Sequence, residues 1–309
     1  MKSFHRTPLM LLLSGTLLTA CGGGSGGGGD GPRGGGVDLS SKAGIARELL
    51  VFSSVVVPSL DEVDEVGQDK RAVAKASEAC GAGTIEPTSG SRDETFAFFD
   101  SAVVSVDFDR IEANNCLNSF EGMTSVTDGV SESGGGADAQ DRYYDFATFG
   151  SGATPFRTRF INNAQATDVD LLMLGRMESR QDATADDVRL SLQMDIDALT
   201  QGEANSVEIA FGDAETFFQI ETQLASDAVR LNGPIEYSAN HCVGGRVDYE
   251  TVTPITFDND DDFASGTLRL SANDVTVELT FNGDTISYQV VGGESGVITA
   301  ADLLNVEGC

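Results

Sequence analysis

Tryptophan is absent from the 309 residues, histidine occurs twice, and lysine and arginine together number 19. Each shortage removes a class of chemistry. A glycosidase cleft without Trp lacks its usual platform for stacking on sugar rings. One histidine, His5, lies near the N-terminus, which leaves His241 for any triad or metal set. His241 adjoins Cys242, a half-cystine on the reading below, and no serine motif accompanies it, so a strand-end polar residue is expected rather than a catalyst. No H-E-x-x-H, P-loop or dinucleotide fingerprint occurs, and no C-x-x-C pair. Cofactors are therefore not expected. Against the 19 basic residues stand 49 acidic ones, a net charge of −30. That sign repels nucleic acid and anionic lipid surfaces and excludes both as partners. The acids run along the whole chain, which reads as solubility rather than as a cation site or a dock for a basic partner.

What is present begins at the N-terminus. Lys2 and Arg6 precede an apolar run from Leu9 to Leu18, interrupted by Ser14, Gly15 and Thr16. A spanning helix needs roughly 20 apolar residues, so this run reads as the core of an export signal. Leu18-Thr19-Ala20-Cys21 resembles the lipobox of bacterial lipoproteins. That resemblance implies cleavage before Cys21, diacylglyceration of its thiol and acylation of the new amine, and hence a membrane partner through the lipid anchor. Gly22 rather than Asp follows the Cys, which in Gram-negative lipoproteins implies the outer membrane; the periplasmic or surface face stays open. Removing residues 1–20 takes away Lys2, Arg6 and no acid, leaving 17 basic against 49 acidic residues, a charge of −32.

Eleven of the fifteen residues Gly22 to Gly36 are glycine. A coil of that composition reaches on the order of 20 Å and would hold the folded part off the membrane. The G-x-S-x-G match at Ser25 lies inside this tract, without the strand and helix that a nucleophile elbow needs. The organisation expected is a signal over 1–20, lipidated Cys and tether over 21–36, and a β-rich domain over 37–309.

Ile45, Leu49, Phe52 and Val56 recur at helical spacing, with Ser40 or Ser41 as cap and Pro58 as stop. From Phe96 onward the period becomes two. Val104, Val106 and Phe108 alternate with polar residues, as do Val188, Leu190, Leu192, Met194 and Ile196. Val275 to Phe281 leads through Asn282-Gly283, a hairpin dipeptide, into Ile286, Tyr288 and Val290. The fold class expected is all-β, mainly antiparallel, with one side of the sheet wet. A large curved sheet, an open barrel and a sandwich all fit, with one N-terminal amphipathic helix. Ser133-Gly134-Gly135-Gly136 is expected to be a loop tip.

Four further cysteines, Cys80, Cys116, Cys242 and Cys309, argue for two disulfides in an exported chain. Of three connectivities, Cys80–Cys116 and Cys242–Cys309 avoid tying distant halves together. Ala113-Asn114-Asn115-Cys116 echoes Ala239-Asn240-His241-Cys242, which suggests two related β units, about 80–165 and 205–309. The alternative is that Asn and a half-cystine are both common at strand ends. Cys242 through Thr251, Thr253 and Pro254 to Gly266 loosely resembles C-terminal parts of β-rich, disulfide-containing lipoproteins of proteobacteria; the likeness covers about a third of the chain and implies no activity.

Carboxylates remain. Asp258, Asp260 and Asp262 are spaced like Ca²⁺ ligands, but Phe263 and Arg269 stand where an EF-hand needs Gly and Glu. A solvated loop is the plainer reading, with a looser Ca²⁺ site as the alternative. Asp61, Glu62, Asp64 and Glu65 read the same way. No pair of acids is singled out for hydrolysis. The function expected is a non-enzymatic binding or structural module of the cell envelope, for a hydrophobic ligand or an envelope protein, on an architectural analogy with half-barrel lipoprotein carriers. A carboxylate-based envelope hydrolase is the alternative.

Overall fold

The computed structural model describes residues 36–52, 80–120, 123–200, 203–213, 215–226, 228–239, 242–257, 263–283 and 285–304. Cys21 with the tract to residue 35, Val56, Pro58, the acids from Asp61 to Glu65, His241, Asp258, Asp260, Asp262 and Cys309 lie outside them, as does the side chain of Cys242. The described residues are overwhelmingly strand and form two compact units, one within Met1–Asp61 and Ser226–Cys309, the other within Glu62–Ala225. Among them no helix is long and apolar enough to cross a membrane.

The chain enters through helix α1, Lys42–Val51. Ser41 caps it, its hydroxyl accepting from the Gly44 amide at 3.2 Å. Asp38 braces the cap by accepting from the Ser40 amide and from both serine hydroxyls. The Asp38 carbonyl passes so close that a Cβ on Gly44 would stand 1.9 Å from it. Ile45, Leu49 and Phe52, the spacing that marked the helix in sequence, are all buried.

The central unit holds β1 (Ala82–Phe96), β2 (Ala102–Phe120), β3 (Met123–Ala137), β4 (Tyr143–Phe149), β5 (Phe156–Asn162), β6 (Thr167–Gln181), β7 (Ala185–Thr200), β8 (Glu203–Phe211) and β9 (Phe218–Gln223). Neighbours run β1-β2-β3-β4-β6-β7-β8; β5 pairs with β3 and β6, and β9 with β7, every pair antiparallel. The alternating segment of β7 forms a strand with Leu190, Leu192 and Met194 buried. β1 has no counterpart among the sequence expectations. Ile85 is its one large aliphatic residue, and Pro87 sits mid-strand, a composition that period-two reasoning passes over but that suits an edge strand.

Cys80 and Cys116 form the expected disulfide at the open end of the β1–β2 hairpin, with Cα atoms 5.3 Å apart, as the geometry of a bridge requires. Cys116 packs with Ile111, Ala113 and Ile85. The second expected bridge, Cys242–Cys309, falls outside the described side chains.

Two expectations are corrected here. Ser133 to Gly136 is not a loop tip but the interior of β3, paired with β2 on one side and β4 on the other. Its glycines are space, not turn: a Cβ on Gly134 would stand 2.9 Å from the Cβ of Phe108, and one on Gly136 would stand 2.1 Å from the Ser105 carbonyl oxygen. Nor is one side of the central sheet uniformly wet. Consecutive residues of β4 alternate faces, yet Tyr144 and Phe146 are buried on one and Ala147 and Phe149 on the other. The tip of the β1–β2 hairpin folds over the first of these faces.

The two Ala-Asn-x-Cys segments are not equivalent. Asn115 adopts φ +46° in a bulge inside β2, its amide donating to the Asp128 carboxylate at 3.0 Å. Ala239 and Cys242 instead pair with each other, as the last residue of one strand and the first of the next. β6, β7, β8 and β9 all belong with the central compact unit.

The terminal unit is a meander of β10 (Ala228–Ala239), β11 (Cys242–Phe257), β12 (Phe263–Ala272), β13 (Val275–Asn282), β14 (Thr285–Val290) and β15 (Ser295–Ile298), closed by α2 (Ala300–Leu304). The Asn282-Gly283 hairpin forms as expected, Gly283 taking φ +55°. Here one side is wet: Glu250, Arg269 and Glu278 pair across three strands while Tyr249, Leu270 and Val277 are buried on the other side. The apolar side meets α1 through Phe52, whose ring centroid lies 5.4 Å from that of Tyr249.

Candidate functional site

Directly paired residues of neighbouring strands share a face of the sheet. Across the central unit that rule builds one row: Phe108, Gly134, Phe146, Glu178, Arg189 and Gln219, on β2, β3, β4, β6, β7 and β9 in turn. Tyr144, Arg180 and Asp187 stand in an adjacent row. The glycine at the second position lets β2 lie close to β3, with Phe108 on one side and Phe146 on the other as its direct partners. Arg92 lies over the Phe108 ring at 4.7 Å, Arg176 over Phe146 at 4.8 Å, and Arg189 over Phe99 at 4.3 Å.

Glu178, 0% exposed, is the anchor. Its carboxylate accepts from the amides of Ala97 and Phe98 in the β1–β2 tip, at 3.1 and 2.8 Å, and from Arg176 Nε at 2.7 Å. Arg189 donates to the Phe98 carbonyl from the other side and pairs with Asp187 at 2.8 Å. Arg176 also reaches Glu94 at 3.0 Å, and Arg92 bridges Glu94 and Glu132. The Glu132 bond, more than any other cause, holds the Arg92 guanidinium more firmly protonated than usual. Arg92, Arg176, Arg180 and Arg189 thus each meet a carboxylate among Glu94, Glu132, Glu178 and Asp187. Chemically this arrangement fastens the hairpin tip to the sheet, because its acids and guanidinium forks are engaged with one another.

The terminal unit repeats the device with different parts. Glu48 of α1, 1% exposed, accepts from the Tyr249 hydroxyl at 2.8 Å and the Tyr237 hydroxyl at 2.5 Å. Burial pushes its carboxyl above the ordinary range, and the two tyrosine bonds oppose that shift. Burial and the neighbouring Glu48 push both phenols upward in turn. Beside them Val37, Asp38, Gly44 and Arg47 line a cavity of about 10 Å³, space for about one water.

A third set of acids lies further along β7. Asp195 of β7 pairs with Glu208 of β8 and lies two residues from Asp197. Burial, then Glu208, then Asp197 raise the Asp195 carboxyl, and its Oδ1 is buried without a hydrogen-bond partner. On β5 and β6, Arg157 pairs with Asp170 and Arg159 with Asp168 at 2.5 Å.

None of these groups was singled out from sequence. The available signal was the alternation Arg176, Glu178, Arg180 along β6, charges of both signs at strand spacing in a chain short of bases. Cys21, His241 and the Asp258, Asp260 and Asp262 loop lie outside the described residues. Among the described residues, no group of three or more His, Cys, Asp or Glu is disposed to hold a metal ion. No family model matches the chain, and neither a curated protein nor a solved structure shows significant similarity to it.

Proposed function

We propose that the chain is a lipid-anchored protein of the bacterial cell envelope, placed at the outer membrane by Cys21, and a non-enzymatic structural or binding module. The lipobox-like residues Leu18 to Cys21 and the glycine tract behind them support the anchoring. The module reading rests on one observation: the two most deeply buried carboxylates among the described residues, Glu48 and Glu178, are engaged by donors of the chain itself, Glu178 by the β1–β2 tip and Glu48 of α1 by Tyr237 and Tyr249. A hydrolase of the carboxylate type needs two acids facing each other across an open cleft. With the apolar side of the terminal unit met by α1, an envelope protein is the partner this reading favours over a free hydrophobic ligand.

The test is fractionation of the full chain expressed in a diderm bacterium. The wild type should carry acyl mass and partition into detergent, and Cys21→Ser should do neither. Retention of Cys21→Ser in the detergent phase would sink the anchoring. Cross-linking on intact cells, read by mass spectrometry, should then return a discrete envelope protein. A second reading, the hydrolase, draws on the perturbed Asp195 beside Glu208. It requires a hydrolytic turnover that Asp195→Asn abolishes.

A further inference from the structure

We propose that Glu48 is a proton-operated latch which sets how tightly α1 is docked on the apolar side of the terminal unit. This goes beyond the module reading, since it assigns a regulated element whatever the partner. Three features carry it. Glu48 lies on the same helix face as Ile45, Leu49 and Phe52, all buried, so its carboxyl enters the interface only when α1 is docked. The side chains meeting that carboxyl, Tyr237 of β10 and Tyr249 of β11, donate hydrogen bonds but bring no positive charge. The adjacent cavity has room for about one water, too little to hydrate an ion. An ionised carboxylate in such a place costs more than a neutral one, and undocking α1 returns it to water.

Other charged groups stand around α1. Asp38 of the segment preceding α1 is spent on Ser40 and Ser41, whose bonds hold it below the ordinary carboxyl range. Arg47 lines the cavity and favours ionisation of Tyr237. Lys42 pairs with Asp302 of α2 at 2.9 Å, and its amide donates to Glu294. β15 contributes Ser295 to Ile298, none of them ionisable.

The sign follows from linkage. The docked carboxyl binds its proton more tightly than the undocked one, so the latch's contribution is fully present below the ordinary carboxyl pKa of 4.5 and is lost as pH rises through the raised, docked value. Across that window the docking equilibrium should fall by about tenfold per pH unit, then level off. Raising the pH through the window would loosen α1 and present Tyr237, Tyr249 and the apolar residues beside them to a partner.

Hydrogen exchange of the full chain, with α1 protection factors corrected for intrinsic rates, tests this. Wild-type protection over residues 42–52 should fall with rising pH, while Glu48→Gln, neutral at every pH, should show a flat profile. Parallel profiles in the two proteins would overturn the latch. If Glu48→Gln fails to fold, carbon NMR of glutamate-labelled wild type reads the site directly. A Glu48 carboxyl titrating at the ordinary value or below refutes the proposal, and one titrating above it in step with loss of α1 protection supports it.

Discussion

A Cβ on Gly136 would stand 2.1 Å from the carbonyl oxygen of Ser105, so β3 can lie against β2 only with no side chain at that position. Gly136→Ala should therefore push the two strands apart and disturb the cluster of Phe96, Val104, Val106, Tyr144 and Phe146. Overpacking of this kind costs about 1–3 kcal/mol or more. Urea unfolding measures it, and an unchanged midpoint would show that the backbone yields freely there.

Glu178 holds the β1–β2 tip through the Ala97 and Phe98 amides and accepts a third bond from Arg176 of its own strand. Glu178→Ala leaves two amides without their acceptor and Arg176 without one of its carboxylates, and should cost about 3–5 kcal/mol. Exchange at the Ala97 and Phe98 amides should rise with it. Loss of stability without faster exchange at those amides would mean that the tip is held by its aromatic contacts instead.

Breaking the Cys80–Cys116 bridge, which spans 36 residues, should lower stability by about 4 kcal/mol on loop-closure grounds, less any strain released. Cys116→Ala with Cys80→Ala, compared with wild type in guanidinium, gives the figure. Peptide mapping of the unreduced protein should also return Cys242 linked to Cys309; a fragment joining Cys116 to Cys242 would refute both pairings.

Asp302 responds to acid in the opposite sense from Glu48. Bonds from Thr299 and Lys42 lower its pKa to about 2. Its contribution is present above the ordinary carboxyl value of 3.8 and is lost as pH falls through about 2. The Thr299 amide, which donates to Asp302 at 2.7 Å, should shift in NMR with that midpoint. A midpoint at the ordinary value would show that the clasp between α1 and α2 is open in solution.

The charge of −30 should make stability rise with NaCl at neutral pH, since screening relieves repulsion among the acids. Ca²⁺ should add nothing beyond its ionic strength if Asp258, Asp260 and Asp262 form a solvated loop. A saturable calorimetric signal lost in Asp260→Ala would reverse that expectation.

Periodicity made β2, β7, β13 and β14 legible because it is a local property: β7 and the β13–β14 hairpin alternate apolar and polar residues wherever they are placed. The Ser41 cap and the Ile45, Leu49 and Phe52 face are equally local. The Cys80–Cys116 pairing was legible too, since bridging neighbours in the chain needs only a hairpin. β1 was not, because its strand character comes from pairing with β2 rather than from its own residues. Gly134 to Gly136 misled for a related reason. Glycine has the same permissive backbone in a loop and against a closely packed neighbouring strand, and only the neighbouring strands distinguish the two.

By itself, then, the sequence determined an antiparallel β chain with one capped helix, an acidic surface and a disulfide across one hairpin. Tertiary structure alone decided what the charges inside do. Glu48 and Glu178 read as two of many acids until folding takes each out of water and supplies donors from segments far away in the chain, 189 residues in the case of Tyr237 and 81 in that of Ala97. Burial and partnership are properties of the assembled neighbourhood, and no window of residues along the chain contains them.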